Sequence, residues 1–304
     1  MSRSGNSERE IKMPMHEGEI AIDHEMVARL VATQFPEFAD LPIRAFASTG
    51  TVNSIYRIGD LLCARLPRLQ KWAASLEREL SWLPRLAPAL SLQIPAPVAV
   101  GRATGEYPYS WSIYRWIDGE PYRDSLVHNE RHAASDLAEF VSELRGVDAT
   151  GAPRGGRQPL EALDVVTRAA IEASRSAIDG DAAAGAWQAA LESPIFDGRP
   201  VWIHADLLRP NVLVGDGCLR AVIDFGSAGV GDPAADVIAA WSIFGESGRA
   251  TFRDALEVDD GTWSRARGYA LAQAVQIIPY YAQTNPAFVG QAKRTVEEIL
   301  FDYR

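Results

Sequence analysis

Between residues 201 and 224 the chain carries a strand-turn-strand pattern with hard oxygen donors at both ends, and no other segment restricts the fold as strongly. The apolar run Val201-Trp202-Ile203 leads into His204-Ala205-Asp206-Leu207-Leu208-Arg209-Pro210-Asn211, which sets a carboxylate five residues ahead of an amide. Val212-Leu213-Val214, the turn Gly215-Asp216-Gly217 and Cys218-Leu219-Arg220-Ala221-Val222-Ile223 then read as a hairpin. Antiparallel pairing across that turn brings Asn211 and Asp224, which flank it, to the same end. Two such donors facing one small space suit Mg²⁺, which keeps several waters and takes one or two protein oxygens together with substrate phosphates. Asp206 lies just upstream of the pair.

The first third of the chain has a different pattern. Met26, Val27, Leu30 and Val31 recur at helical spacing within 23–35, and 43–47, 54–58 and 61–66 read as strands of a small antiparallel sheet. Over 71–86, Trp72, Leu76, Leu80 and Leu83 form one helical stripe, and at about 100° per residue Glu79 falls inside it while Glu77 points away. A carboxylate on a buried face needs a cationic partner, and Arg65 on the preceding strand is the candidate. Two more strand-like stretches, 98–101 and 111–117, end at Asp118-Gly119-Glu120-Pro121, where a lobe boundary is expected. Beyond it Leu137, Phe140, Val141 and Leu144 make a clean helical stripe, and helical patterns return at 233–244 and 263–282. The resulting organisation is a flexible tail over 1–22, a first lobe over 23–117 and a mainly helical lobe over 118–304.

Composition narrows the function classes. With 304 residues and 47% hydrophobic content the chain can bury a sizeable core. Its formal charge of -10 repels a phosphate backbone and argues against a nucleic-acid partner. The acids are unevenly spread: residues 1–117 carry 13 Lys/Arg against 12 Asp/Glu, residues 118–304 carry 17 against 28. Cys63 and Cys218 are too few for a disulfide framework and read as buried thiols. No apolar run reaches the ~20 residues needed to cross a bilayer, and no signal segment precedes 23, so a cytoplasmic protein without a membrane partner is expected.

His204-Ala205-Asp206, Asn211 five positions later and Ile223-Asp224-Phe225-Gly226 together resemble the catalytic loop and metal-binding motif of the protein-kinase-like fold. Gly231-Asp232-Pro233-Ala234-Ala235-Asp236 narrows the likeness to the aminoglycoside phosphotransferase family, which includes macrolide phosphotransferases and is related to choline kinases. The resemblance spans 43–245 and implies an α+β, two-lobed kinase-like fold with a small antiparallel-sheet lobe and a larger helical lobe. It implies transfer of the γ-phosphoryl of ATP or GTP to a hydroxyl of an aminoglycoside-like or macrolide antibiotic, with Mg²⁺ as cofactor. A metabolic kinase of an amino alcohol or sugar, and a catalytically silent nucleotide-binding regulator, are the alternatives; the silent version would be expected to lose at least one of the three motif residues.

By the same resemblance Asp206 would orient the acceptor hydroxyl and take its proton, with no need of an unusual pKa, while Asn211 and Asp224 would hold Mg²⁺. Arg65 stands where kinases carry a phosphate-binding lysine, and it can pair with Glu79 while touching phosphate. Ser48, Thr49, Thr51 and Asn53 occupy the position of a glycine-rich phosphate loop with Gly50 as its one glycine, so hydroxyls would share the cradling. Tyr114-Arg115-Trp116-Ile117 matches the hinge, with Arg115, Trp116 and Ile117 beside the base. Ala205 stands where glycine is usual and Leu208 where histidine is common. His204 reads as a stabiliser of the loop rather than an acid or base, Asp232 as a cap ahead of Pro233, and Asp236 as a hydrogen-bond partner of the catalytic loop. Trp241, Glu246 and Tyr280 are candidate acceptor contacts, although aromatics at helical spacing more often pack; the acidic second lobe is compatible with a cationic acceptor.

Overall fold

The computed structural model describes residues 18–46 and 52–303. Its elements are α1 (His24–Gln34), β1 (Ile43–Phe46), β2 (Asn53–Ile58), β3 (Leu62–Pro67), α2 (Gln70–Leu86), β4 (Pro97–Gly101), β5 (Trp111–Arg115), β6 (Glu120–Pro121), α3 (Glu130–Gly146), α4 (Asp164–Ala173) and α5 (Gly180–Leu191). They continue with β7 (Val201–Ile203), β8 (Val212–Gly215), β9 (Cys218–Val222), β10 (Gly229–Gly231), α6 (Ala234–Val237), α7 (Ala239–Ser242), α8 (Glu246–Ala255), α9 (Asp260–Tyr280) and α10 (Pro286–Phe301). The fold is α+β and two-lobed. Among the described residues no helix is long and apolar enough to cross a membrane.

The first lobe is a five-stranded antiparallel sheet in the order β1-β2-β3-β5-β4. Asp23 caps α1 by accepting from the Met26 N–H (2.8 Å), and Val27, Leu30 and Val31 bury their side chains against Tyr56, Ile58, Leu66 and Trp111 of the sheet. The chain joins this lobe before Asp23, because the Ile20 N–H donates to the Arg68 carbonyl and the Tyr56 hydroxyl to the Ile22 carbonyl. That shortens the expected loose tail at its end; residues 1–17 lie outside the described residues. β5 stops at Arg115, two residues short of the expected strand, although the Trp116 N–H still donates to the Leu61 carbonyl (2.8 Å).

Beyond Asp118 the chain belongs to the second lobe at once, since β6 pairs with β8 of the β8–β9 hairpin. α3, capped by Asn129, buries Leu137, Phe140, Val141 and Leu144 as its stripe requires. α2 lies between β3 and β4 of the first-lobe sheet in sequence, yet Leu76, Leu83 and Leu86 join the core of the helical lobe, so this helix bridges the two. Residues 233–244, which read as one helix, form the short pair α6 and α7 with a break at Ile238. Every residue from Ala234 to Phe244 is buried, so packing on all sides sets the backbone there rather than one amphipathic face. Cys218 corrects the reading of both thiols as buried: it opens β9 at the hairpin turn and is exposed, while Cys63, on β3, is partly buried.

Candidate active site

The hairpin closes as its pattern demands, with the Ile223 N–H donating to the Asn211 carbonyl (2.8 Å) and so holding the two flanking residues together. Asn211 turns its amide nitrogen back into the loop, onto the Asp206 carbonyl and Asp206 Oδ2, both at 2.9 Å. Its Oδ1 is therefore the atom left for the cleft. Asp224 has φ +68°, a left-handed conformation that costs a non-glycine residue about 1–2 kcal/mol. Its Oδ1 accepts from Arg65 Nη2 at 2.8 Å, and Arg65 Nη1 reaches Glu79 Oε1 at 2.5 Å.

Glu79 is buried as the helical stripe indicates, and the Tyr114 hydroxyl donates to the same Oε1 (3.4 Å). Burial pushes the Glu79 carboxyl up, opposed by the Arg65 charge. With its amide oxygen turned to the guanidinium, Asn53 accepts from Arg65 Nε at 2.8 Å. Asn53, Arg65, Glu79 and Asp224 thus form one connected polar chain across the lobe junction. Ser48, Thr49 and Thr51 lie outside the described residues.

The loop carrying Asp206 is tied from behind. Asp236 of α6 is fully buried, and its two oxygens accept from the His204 and Ala205 N–H groups at 2.8 and 2.7 Å. Burial pushes the Asp236 carboxyl up, against the pull of these two backbone donors. Ala205 sits at φ +65°, the conformation for which glycine is the usual choice, and the paired bonds from Asp236 hold it there. The Asp206 N–H donates to His204 Nδ1 (3.3 Å), which assigns the ring proton to Nε2 and makes Nε2 the donor to the Ile223 carbonyl (3.0 Å). His204 is a buried brace between loop and hairpin. Asp232 accepts from the Ala234 N–H (2.9 Å) and pairs with Arg265 (2.8 Å), a capping arrangement.

Two cavities meet at this loop. One of ≈ 270 Å³ lies between the lobes, lined by Phe46, Cys63, Tyr114, Trp116, Ile117 and Leu213, with Arg115 at its edge and Arg65, Asn211 and Asp224 at its inner end. The other, ≈ 680 Å³, opens on the helical side and is lined by Asp206, Arg157, Gln273, Gln276, Tyr280 and Phe288. Asn211 and Asp224 border both. Burial, then the nearby Asp224 carboxylate, raises the Asp206 carboxyl above the ordinary range, although the chemistry asked for no such shift.

Two amide and guanidinium groups absent from the sequence reading also converge here. Gln273 Nε2 donates to Asp206 Oδ1 at 2.7 Å, and Arg157 Nη2 to Gln273 Oε1 at 2.6 Å. The available signal was Gln273 and Gln276 interrupting the otherwise apolar second half of α9, residues 269–280, at a spacing of three. Of the three acceptor candidates, Tyr280 lines the helical-side cavity and is 60% exposed. Trp241 does not reach it: its ring is fully buried 4.5 Å from that of Trp263, because α7 is enclosed on every side. Glu246 starts α8 on an exposed surface and borders neither cavity.

Asn211 and Asp224 fit a magnesium ion in one respect that can be tested on this geometry. Among the described residues no three His, Cys, Asp or Glu side chains cluster as a metal cage. Two oxygens on the border of a cavity are what Mg²⁺ uses when phosphates and waters complete its shell.

The two-lobed fold with a braced Asp-Asn-Asp constellation between two cavities defines a kinase-like phosphotransferase. The phosphotransferase enzyme family (APH) matches residues 43–269, and the chain belongs to it, as an enzyme that phosphorylates hydroxyl acceptors. Viomycin phosphotransferase of Streptomyces vinaceus is 29% identical over 206 residues, covering 61% of this chain and 70% of that protein. The GDP complex of aminoglycoside 2'-phosphotransferase-IIIa superposes with a TM-score of 0.70 at 19% identity, over 91% of this chain and 98% of that one. Macrolide 2'-phosphotransferase type I does so with a TM-score of 0.61 at 20% identity, over 90% and 97%.

Proposed function

We propose that this enzyme transfers the γ-phosphoryl of ATP or GTP to a hydroxyl of an antibiotic, with Mg²⁺ on the nucleotide. The observation that carries this is the placement of Asn211 and Asp224 on the border of both cavities, with Asp206 facing the helical side. A donor between the lobes and an acceptor on the helical side would then meet at one point. Residues 23–117 supply the nucleotide lobe and 118–304 the catalytic and acceptor lobe.

Transfer of this kind passes through a loose transition state, so catalysis is mainly positioning and charge neutralisation. Asp206 orients the acceptor hydroxyl and receives its proton; a carboxyl raised by burial is a better final acceptor than a solvated one. Asn211 Oδ1 and the Asp224 carboxylate hold the metal, whose chemistry is neutralisation of charge on the phosphate oxygens. Arg65, fixed by Glu79, places a guanidinium beside the phosphates. Asn53 stands at that end beside Arg65, Ser48, Thr49 and Thr51 are assigned to the phosphates by family resemblance alone, and the backbone at Arg115, Trp116 and Ile117 takes the base.

The helical-side cavity favours a macrolide-like acceptor over a polycation. Among its described lining residues the carboxylates are Asp206 and Asp224 alone, both assigned to chemistry, and Arg157 brings a positive charge. Tyr280, Tyr281, Phe288, Leu163 and Ile277 give it an apolar wall. The acid surplus of the second lobe lies elsewhere on the surface.

A Mg²⁺-dependent transfer screen with ATP and GTP over macrolides, aminoglycosides, viomycin and amino alcohols tests the proposal. Phosphorylation of a macrolide is expected. Absence of transfer to every antibiotic, with turnover on an amino alcohol or sugar, would replace it with the metabolic reading.

A further inference from the structure

A carboxylate that must receive a hydroxyl has to be held against rotation about its own axis. Asp206 is gripped at both oxygens, Oδ2 by Asn211 Nδ2 at 2.9 Å and Oδ1 by Gln273 Nε2 at 2.7 Å. Each carboxylate oxygen offers two acceptor sites, so Oδ1 can hold the glutamine amide and still take a hydroxyl. Asn211 comes from the catalytic hairpin itself. Gln273 comes from α9, where Gln273, Gln276, Ile277 and Tyr280 share one face at spacings of three, four and seven and line the helical-side cavity.

A glutamine amide can present either end, and only the nitrogen end supports a carboxylate. Arg157 decides which: its Nη2 donates to Gln273 Oε1 at 2.6 Å, so Nε2 is left for Asp206. The same guanidinium donates through Nε to the Ala205 carbonyl at 3.1 Å, one residue before Asp206. Arg157 is itself anchored, because the Gly155 and Gly156 N–H groups donate to the Val230 and Ser227 carbonyls at 2.9 and 3.1 Å. That approach needs glycine, since a Cβ on Gly229 would stand 2.5 Å from the Gly155 nitrogen.

We propose that Gln273, oriented by Arg157, is a positioning residue for Asp206 that fixes the rotation of its carboxylate toward the acceptor hydroxyl. This rests on the reading of Asp206 as the residue that receives that hydroxyl. Neither residue holds nucleotide or metal, so their loss is read in turnover and not in nucleotide affinity.

The test is initial-rate kinetics of transfer from Mg-ATP and Mg-GTP, to a macrolide and to water, with Mg-nucleotide binding measured directly. It compares wild type, Asp206→Ala, Gln273→Leu, Gln273→Glu, Arg157→Met and the double variant Gln273→Leu/Arg157→Met. Gln273→Glu keeps the shape and the Arg157 contact but removes the N–H, so it reads the proposal even where leucine disturbs folding. Both Gln273 variants are expected to lower kcat about 10- to 100-fold, the size of effect a small misplacement produces. Mg-nucleotide Kd should stay within about threefold, and the double variant should lose less than the product of the two single losses, since Arg157 acts in part through Gln273. A kcat near wild type in either Gln273 variant overturns the proposal, as do Arg157 and Gln273 losses that multiply, or nucleotide affinity that falls in step with kcat. If Asp206→Ala is inactive while the Gln273 variants are not, the positioning role alone falls. Should Asp206→Ala keep its rate, or wild type transfer to neither acceptor, the reading of Asp206 falls and the proposal with it.

Discussion

Asp206 shows how much of a residue's role is decided by what surrounds it. Its two oxygens are held by Asn211 and Gln273, its N–H by His204, and the residue before it by Asp236. Replacing it with alanine should lower transfer by about 10² to 10⁴, the range for a positioned proton acceptor, and leave Mg-nucleotide affinity nearly unchanged; stopped-time kinetics beside nucleotide titration checks this. Trp241 makes the opposite case. Enclosed against Trp263, it should cost about 3–5 kcal/mol of stability as alanine, in urea unfolding, with no specific effect on the acceptor KM in the folded fraction. The cysteines separate by environment. Burial pushes the Cys63 thiol up to about 11, which disfavours the reactive thiolate below that pH. Labelling at pH 8 should therefore modify the exposed Cys218 first, and Cys63 labelling should rise about tenfold per pH unit toward 11. Mg-nucleotide should slow Cys63 further, because this thiol borders the inter-lobe cavity; mass mapping of the labelled peptides decides it.

At the scale of elements, the hairpin of β8 and β9 is a local object and was legible from its turn and its alternation. The tie from α6 to the strand end at β7 is not local. Asp236 lies 32 residues beyond His204, and its carboxylate is the acceptor for two buried N–H groups. Asp236→Ala leaves both donors unpaired, at about 1–3 kcal/mol each, and should lower Tm and turnover together. Asp236→Asn retains one acceptor and should be milder in the same thermal melt; equal losses would contradict the account. α2 is legible as a stripe, including the buried Glu79, but its role as a bridge into the helical lobe depends on a surface that its own sequence does not describe.

Over the whole molecule, the net charge and the lining of the helical-side cavity point to different acceptors. The second lobe holds 28 acidic residues against 17 basic ones, yet the helical-side cavity carries Asp206, Asp224 and Arg157 beside an apolar wall. A polycationic acceptor would bind through long-range attraction that salt screens. Acceptor Kd should change by less than about threefold between 50 and 500 mM salt, since the Debye length at the upper value is only a few ångströms. A steep loss in isothermal titration would return the acidic surface to the acceptor site.

The sequence by itself determined what depends on neighbours along the chain: the hairpin that pairs Asn211 with Asp224, the helical stripe that buries Glu79, and the family through the joint spacing of its motifs. Pleat and helix periods are local, so these features are written in a few consecutive residues. Only the tertiary structure decided that Gln273, held by Arg157, reaches Asp206, that Trp241 packs instead of lining a cavity, and where the acids stand relative to the helical-side cavity. Those facts depend on contacts between residues 22 to 116 positions apart. A side chain's chemistry is fixed by its identity, whereas its partner is fixed by how the layers pack.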